Sequence, residues 1–223
     1  MAESLQFLPE PELRVRSTPP IGDSLARLST IYREAEETAR LANLLGRSLH
    51  VAIALSVLAA ATLILAGAGL EREASWAVFM IVAMGAILTA YRRAIAQPFE
   101  RPALKSFAQD LNAILLFAGF AWGSGAFLAL PAEASAGLVV LFAAGGAAFV
   151  AVLLREGSAA LLFLAPAGAV ASFACLLQPH GSGVMGAMAV AAASLCVAVA
   201  VELTSRSALR NRAIAQMAGL PFA

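Results

Sequence analysis

Few residues of this chain have side chains that could carry out a reaction. The sequence contains two His and two Cys residues, at His50, His180, Cys175 and Cys196. Their spacing is not that of a zinc site. His50 begins one apolar run and His180 follows another, so the topology predicted below puts them on opposite sides of a membrane. We therefore predict no metal site, no haem site and no cofactor.

The segment Trp122-Gly123-Ser124-Gly125 superficially resembles the serine motif of intramembrane proteases. A serine nucleophile needs a base within hydrogen-bonding distance, and no His lies deep in another apolar run. We therefore predict no catalytic residue and no enzyme activity. The same stretch favours helix packing, because Gly119 and Gly123 are four residues apart. Small residues at this spacing let two membrane helices approach closely.

Other small residues and one proline extend this packing prediction. Gly125 continues the small surface, and the pair Gly145 and Gly146 gives a second apolar run a small face. Pro166 interrupts a third run near its middle, where it removes a backbone donor and bends the helix. The predicted helix-packing residues are thus Gly119, Gly123, Gly125, Gly145, Gly146 and Pro166.

The elements that position these residues are six apolar runs. Hydrophobic residues make up 61% of the 223 residues and charged residues only 13%, whereas soluble domains contain about half and about a quarter. Runs without Asp, Glu, Lys or Arg occupy 50–69, 74–91, 111–130, 135–154, 158–177 and 183–201. About 20 residues cross a bilayer as a helix. The predicted fold class is therefore all-α, a polytopic membrane protein with a bundle of six transmembrane helices.

The distribution of basic residues predicts the orientation of the bundle. Of the 15 Lys and Arg residues, all except Arg72 lie before the first run, between runs two and three, between runs four and five, or after the sixth run. Both ends of the chain are therefore predicted to lie in the cytoplasm, and the protein is predicted to cross the membrane several times. The absence of ionisable residues from the middle of the runs argues against ion-coupled transport and proton pumping.

The N-terminal segment 1–47 is predicted to be cytoplasmic and to contain an amphipathic helix. After a Pro-rich tail, the helix is expected from Asp23 to about Arg47, because Leu28, Tyr32 and other apolar residues recur at spacings of three and four. Its polar face carries acidic as well as basic residues. Packing against another protein segment is therefore favoured over binding to anionic lipid.

The membrane domain is predicted over 48–203 and a cytoplasmic C-terminal tail over 204–223. The connection 92–110, between runs two and three, is basic, contains two Pro residues and is long enough for a docking surface. Together with the N-terminal helix it supplies the predicted partner contacts, which are Leu28, Tyr32, Arg92, Arg93, Arg101 and Lys105.

Three stretches carry a family resemblance. Residues 91–93 (Tyr-Arg-Arg), 115–123 (Leu-Leu-Phe-Ala-Gly-Phe-Ala-Trp-Gly) and 130–131 (Leu-Pro) resemble parts of the six-helix N-terminal membrane modules of bacterial sensor histidine kinases and diguanylate cyclases. The resemblance extends over about 50–218 and implies that a charged helix, here beginning at Glu202, carries a signal out of the last span. The sequence shows no kinase or cyclase domain, so the chain is expected either to be a stand-alone relative of these modules or to have its output on another protein.

The predicted function is that of a non-enzymatic, multi-pass sensory or scaffold protein of the bacterial inner membrane that acts through protein contacts. Two alternatives stay open. One is an accessory subunit of a larger respiratory or photosynthetic membrane complex, because Ala- and Gly-rich spans suit helix packing. The other is a small transporter of a neutral or lipid-like substrate. The expected partners are membrane lipid and other membrane or cytoplasmic proteins, with a homo-oligomer left open and no nucleic acid.

Overall fold

The computed structural model describes residues 21–66, 70–96, 101–131, 133–177 and 183–217. Within these ranges it describes side chains from 34 to 204, except those of 35, 36, 39, 66 and 101. Two compact units divide the chain after Glu37, and the side-chain contacts discussed here all lie in the second unit. Every regular element in the described ranges is helical, as the all-α prediction requires.

Six helices account for the described chain. In order they are α1 (Ile21–Ala66), α2 (Leu70–Ile95), α3 (Arg101–Leu128), α4 (Ala136–Leu154), α5 (Gly157–Leu177) and α6 (Gly183–Met217). Each is long and apolar enough to cross a membrane, over Arg40–Leu65, Leu70–Ile95, Pro102–Leu128, Ala136–Leu154, Gly157–Leu177 and Gly183–Thr204. Each of these spans overlaps one of the six predicted apolar runs, so the predicted number of spans is confirmed.

The first helix does not end where the sequence analysis expected. α1 is one helix from Ile21 to Ala66 and passes through Arg47 without a break. A charged residue can mark the edge of an apolar run, but it does not interrupt backbone hydrogen bonding as Pro does. Ser48, which follows, is buried and donates to the Leu45 carbonyl at 2.7 Å, so its hydroxyl is satisfied within the helix. The side chains of 21–33, on which the predicted amphipathic face depends, lie outside the described residues.

Most of the expected connection 92–110 is also helical. Arg92 and Arg93 belong to the last turn of α2, and α3 already begins at Arg101. The connection is therefore much shorter than predicted, and its residues 97–100 lie outside the described chain. The basic residues assigned to it are helix-end residues instead.

The middle three helices form the centre of the bundle. Half of the α3 span is buried inside the protein, against 22% of the α6 span. The helix pairs with the most extensive contact in the described chain are α3–α5, α5–α6 and α2–α3. Large apolar side chains on the peripheral helices, such as Ile64 and Met185, are exposed. Lipid tails are as apolar as these side chains and can cover them.

Candidate functional site

The packing of α3 against α5 depends on Gly119 and Gly123. A methyl group on Gly119 would meet the Phe163 carbonyl oxygen and lie 2.8 Å from Cγ of Pro166, and one on Gly123 would lie 2.6 Å from the Ala167 carbonyl oxygen. Two glycines four residues apart thus face two carbonyls four residues apart. This is the arrangement in which Cα–H groups contact carbonyl oxygens across a helix interface.

An aromatic cluster joins α2, α3 and α4. The Trp122 and Phe142 rings stack with centroids 4.6 Å apart, and Trp76 meets both edge-on, at 5.9 Å from Trp122 and 6.0 Å from Phe142. Gly125 and Gly146 make room for the rings. A methyl group on Gly146 would overlap the Trp122 indole, and one on Gly125 would lie 2.9 Å from Nε1 of Trp76.

Both indole N–H groups of this cluster are hydrogen-bonded to backbone carbonyls. Nε1 of Trp76 donates to the Ala121 carbonyl at 2.9 Å, and Nε1 of Trp122 donates to the Phe142 carbonyl at 3.2 Å. Phe142 lies in a π-helical turn, Leu141–Gly145, inside α4. Such turns often occur at functional sites, but here the ring and carbonyl of Phe142 serve the packing of α4 on α3.

Gly145 differs from the other predicted packing residues. It is exposed, and among the described atoms a methyl group there would have only Leu141 Cδ1, of the preceding turn, within 4 Å, at 3.8 Å. The structure therefore brings Gly119, Gly123, Gly125, Gly146 and Pro166 into helix interfaces and leaves Gly145 on the surface of α4.

A tight turn joins α4 to α5. α4 ends at Leu154 and α5 begins at Gly157, so only Arg155 and Glu156 connect two antiparallel helices. Arg155 adopts a left-handed conformation (φ 48°, ψ 27°), and its N–H donates to the Ala151 carbonyl at 3.1 Å. This conformation is the usual way to end a helix, although Gly normally occupies the position.

Two Arg side chains of α1 reach this turn. The Arg40 guanidinium forms an ion pair with the Glu156 carboxylate and donates to the Ser158 hydroxyl at 3.0 Å. Ser158 in turn donates to the same carboxylate at 3.1 Å. Seven residues, or about two turns, further along α1, Nη1 of Arg47 lies 3.5 Å from the Leu154 carbonyl, at the C-terminus of α4. We call Arg40, Glu156 and Ser158 the inner triad.

The predicted partner contacts are only partly described. Arg92, Arg93 and Lys105 are exposed. Successive spans cross the bundle in opposite directions, so α2 ends and α3 begins at the end of the bundle where α4 ends and α5 begins. Arg92, Arg93 and Lys105 therefore lie at the same end as the inner triad, which we call the basic end. The side chains of Leu28, Tyr32 and Arg101 lie outside the described residues.

The residues considered for chemistry have ordinary helical partners. The Ser124 hydroxyl donates to the Ala121 carbonyl of its own helix at 2.8 Å. Nδ1 of His50, at the surface, lies 3.1 Å from the Gly46 carbonyl. His180 lies outside the described chain. In the part of the chain that is described, no three His, Cys, Asp or Glu residues come together as they would around a metal ion.

Sequence reasoning missed the inner triad. By spacing, the expected partner of Arg40 is Glu36, four residues earlier on the same helix. Its observed partner, Glu156, is 116 residues away, and no local pattern can indicate such a pairing. The one indication in the sequence was an acidic residue, Glu156, in the short connection between two apolar runs, with Ser158 two positions later.

Comparison with known proteins yields no family assignment. A scan against models of protein families and searches of curated proteins and of solved structures gave no match. A functional conclusion must therefore come from the residues of the chain itself.

Proposed function

We propose that this protein is a non-enzymatic sensory or scaffold protein of the bacterial inner membrane that acts through contacts with other proteins. The observation that carries the proposal is the length of two helices. α1 has 46 residues and α6 has 35, whereas about 20 cross a bilayer. Both helices are longer than a span requires, and a helix that continues past its span suits both docking and the transmission of movement.

The orientation belongs to the same proposal. Arg92, Arg93, Lys105 and Arg155 lie at the basic end, and a concentration of Lys and Arg favours the cytoplasmic side. With this end inside, α1 begins and α6 ends on the cytoplasmic side. The resemblance to sensor kinase and cyclase membrane modules supports the same role for α6, as the helix that carries a signal away from the last span.

A second candidate is a permanent subunit of a larger membrane complex. It is favoured by the exposure of α6, the least buried span at 22%. Ala192 and Cys196, four residues apart, are both exposed on it. Small side chains on an exposed helix surface allow a second membrane helix to approach closely.

Purification from native membranes in a mild detergent, followed by quantitative mass spectrometry, tests the proposal. We expect partners at less than one copy per chain, and we expect the double variant Arg92→Gln with Arg93→Gln to capture less of them. Arg72→Gln, a change at the opposite end, is the matched control and should capture as much as the wild type. A partner at fixed stoichiometry would favour the subunit function. If the chain co-purified with no other protein and moved solutes across liposome membranes, both the sensory or scaffold function and the subunit function would be overturned in favour of a transporter.

A further inference from the structure

α1 is attached to the bundle differently from the other helices. Among the described residues its backbone makes fewer close approaches to other helices than that of any other span. Large side chains, including those of Leu44, Leu45 and Leu55, fill the space beside it and are buried. The contacts between α3 and α5 thus involve backbone atoms, whereas those of α1 are made mainly by side chains.

Polar contacts hold α1 at the basic end. Arg40 contacts both a carboxylate and a hydroxyl of the α4–α5 turn, and Arg47 lies beside the carbonyl that ends α4. The turn that presents Glu156 is well defined, since the connection is only two residues long and its Arg155 N–H is bonded to α4. The polar part of the attachment of α1 at this end therefore depends on Arg40 and Arg47, beside the buried Leu44 and Leu45.

We propose that the inner triad is a latch that holds α1 against the α4–α5 turn. When the contacts of Arg40 with Glu156 and Ser158 break, the latch is open and α1 moves away from the turn. The two charged partners are unequal. The Arg40 side chain is 56% exposed, whereas the Glu156 side chain is 16% exposed. Arg40 can therefore leave into water, while Glu156 stays on the short α4–α5 turn beside its donor Ser158. An open latch thus presents a carboxylate and a hydroxyl at the basic end.

The chemistry of the opened site indicates what could keep it open. A carboxylate beside a hydroxyl binds a cationic donor, and a guanidinium or ammonium group of a partner segment has the chemistry to replace Arg40. The latch itself is independent of any partner. The role of latch opening in signalling rests on the function proposed above. In that role, a basic segment of a partner protein competes with Arg40 for Glu156.

Distance measurements between two spin labels test the latch in the full-length chain in lipid nanodiscs. The labels go on Asn43→Cys in α1 and Leu161→Cys in α5, both exposed positions outside the triad, after Cys175 and Cys196 are replaced by Ala. We expect a narrow distance distribution for this background. Arg40→Glu or Glu156→Arg alone should broaden it and shift it to longer distance, and Ser158→Ala should broaden it less.

The charge-swapped double variant, Arg40→Glu with Glu156→Arg, should return the distribution towards that of the background. Such a recovery would show that the lost pairing, and not either substitution by itself, caused the broadening in the single variants. Arg72→Gln is the matched control, because Arg72 also makes a hydrogen bond across helices, to the Phe127 carbonyl at the other end of the bundle, and it should change nothing. Single variants that keep the narrow distribution, or a double variant that does not recover it, would overturn the latch.

Failure of the latch and failure of the proposed function give different results. The spin-label distances are measured on the isolated protein and need no partner. They therefore test the latch and do not test the proposed function. A chain that captures no partner from native membranes would refute the proposed function even if its distances followed the expected pattern.

Discussion

Single residues decide how closely the helices of this bundle approach one another. Gly119 and Gly123 bring α3 so near to α5 that the nearest atoms are backbone carbonyls of Phe163 and Ala167. A backbone carbonyl cannot rotate away as a side chain can. Any added side-chain volume at these glycines must therefore push the two helices apart.

We expect Gly123→Val to lower the free energy of unfolding by about 1–3 kcal/mol, the usual cost of overpacking a core. Thermal unfolding in detergent micelles, followed by circular dichroism, measures the change. Gly145→Ala is the matched control: the added methyl is exposed, and Ala is favoured over Gly in helices by up to about 1 kcal/mol. If the two variants were equally stable, the close contact of α3 with α5 would be refuted.

Arg155 offers a second test at the residue scale. Its φ of 48° is accessible to Gly without strain but costs other residues about 1–2 kcal/mol. Arg155→Gly should therefore keep or raise the unfolding temperature, whereas the β-branched Arg155→Val should lower it. A higher unfolding temperature for the Val variant than for the Gly variant would contradict the left-handed turn.

The ion pair of Arg40 is a weak source of stability in spite of its position. Exposed ion pairs contribute about 0–1 kcal/mol, and Arg40 is 56% exposed. We expect Arg40→Gln to lower the free energy of unfolding by less than about 1 kcal/mol, as measured by the same thermal unfolding. A much larger loss would mean that the residue supports the whole fold rather than the position of α1.

At the scale of elements, the sequence was sufficient for the spans and insufficient for their ends. Six runs free of charge are long enough to force six helices, because an unsatisfied backbone group in lipid is too costly. The ends depend on weaker signals. Arg47 looked like a boundary because it is the last charged residue before the first apolar run, yet nothing at Arg47 breaks the backbone hydrogen bonds of α1. Pro98 and Pro102 suggested a long connection, although Pro is tolerated in the first turn of a helix, where Pro102 lies in α3.

The candidate site was less predictable than the spans. The spacing of Gly119 and Gly123 indicated close packing, but no pattern indicated which helix they would face. The pairing of Arg40 with Glu156 depends on how distant helices are arranged, and Trp122 gave no sign that it would meet Trp76. Contacts of this kind are set by the tertiary fold and leave no periodic trace in one sequence.

The continuity of α1 is testable at this scale. Hydrogen–deuterium exchange of the protein in nanodiscs should show slow exchange for backbone amides on both sides of Arg47, because one unbroken helix satisfies them all. A separate surface helix followed by a span would show a fast-exchanging segment between the two. Such a segment near residues 46–50 would refute the single helix from Ile21 to Ala66.

At the scale of the whole molecule, the proposed orientation has a direct test. With an even number of spans and both termini in the cytoplasm, reporter fusions at His180 and Ala223 should lie on opposite sides of the membrane. Alkaline phosphatase should be active at His180 only, and green fluorescent protein at Ala223 only. Two fusions with the same behaviour would rule out the orientation on which the cytoplasmic surface depends.

The aromatic cluster also gives the molecule an optical reporter of its own. Trp76 and Trp122 are the only two tryptophans in the sequence, and both are buried against Phe142. The intrinsic tryptophan emission therefore arises from one cluster, where α2, α3 and α4 meet away from water. Its wavelength should shift to the red when those helices separate and stay constant when only the basic end rearranges. Unlabelled protein can thus distinguish a loosening of the whole bundle from a movement confined to α1.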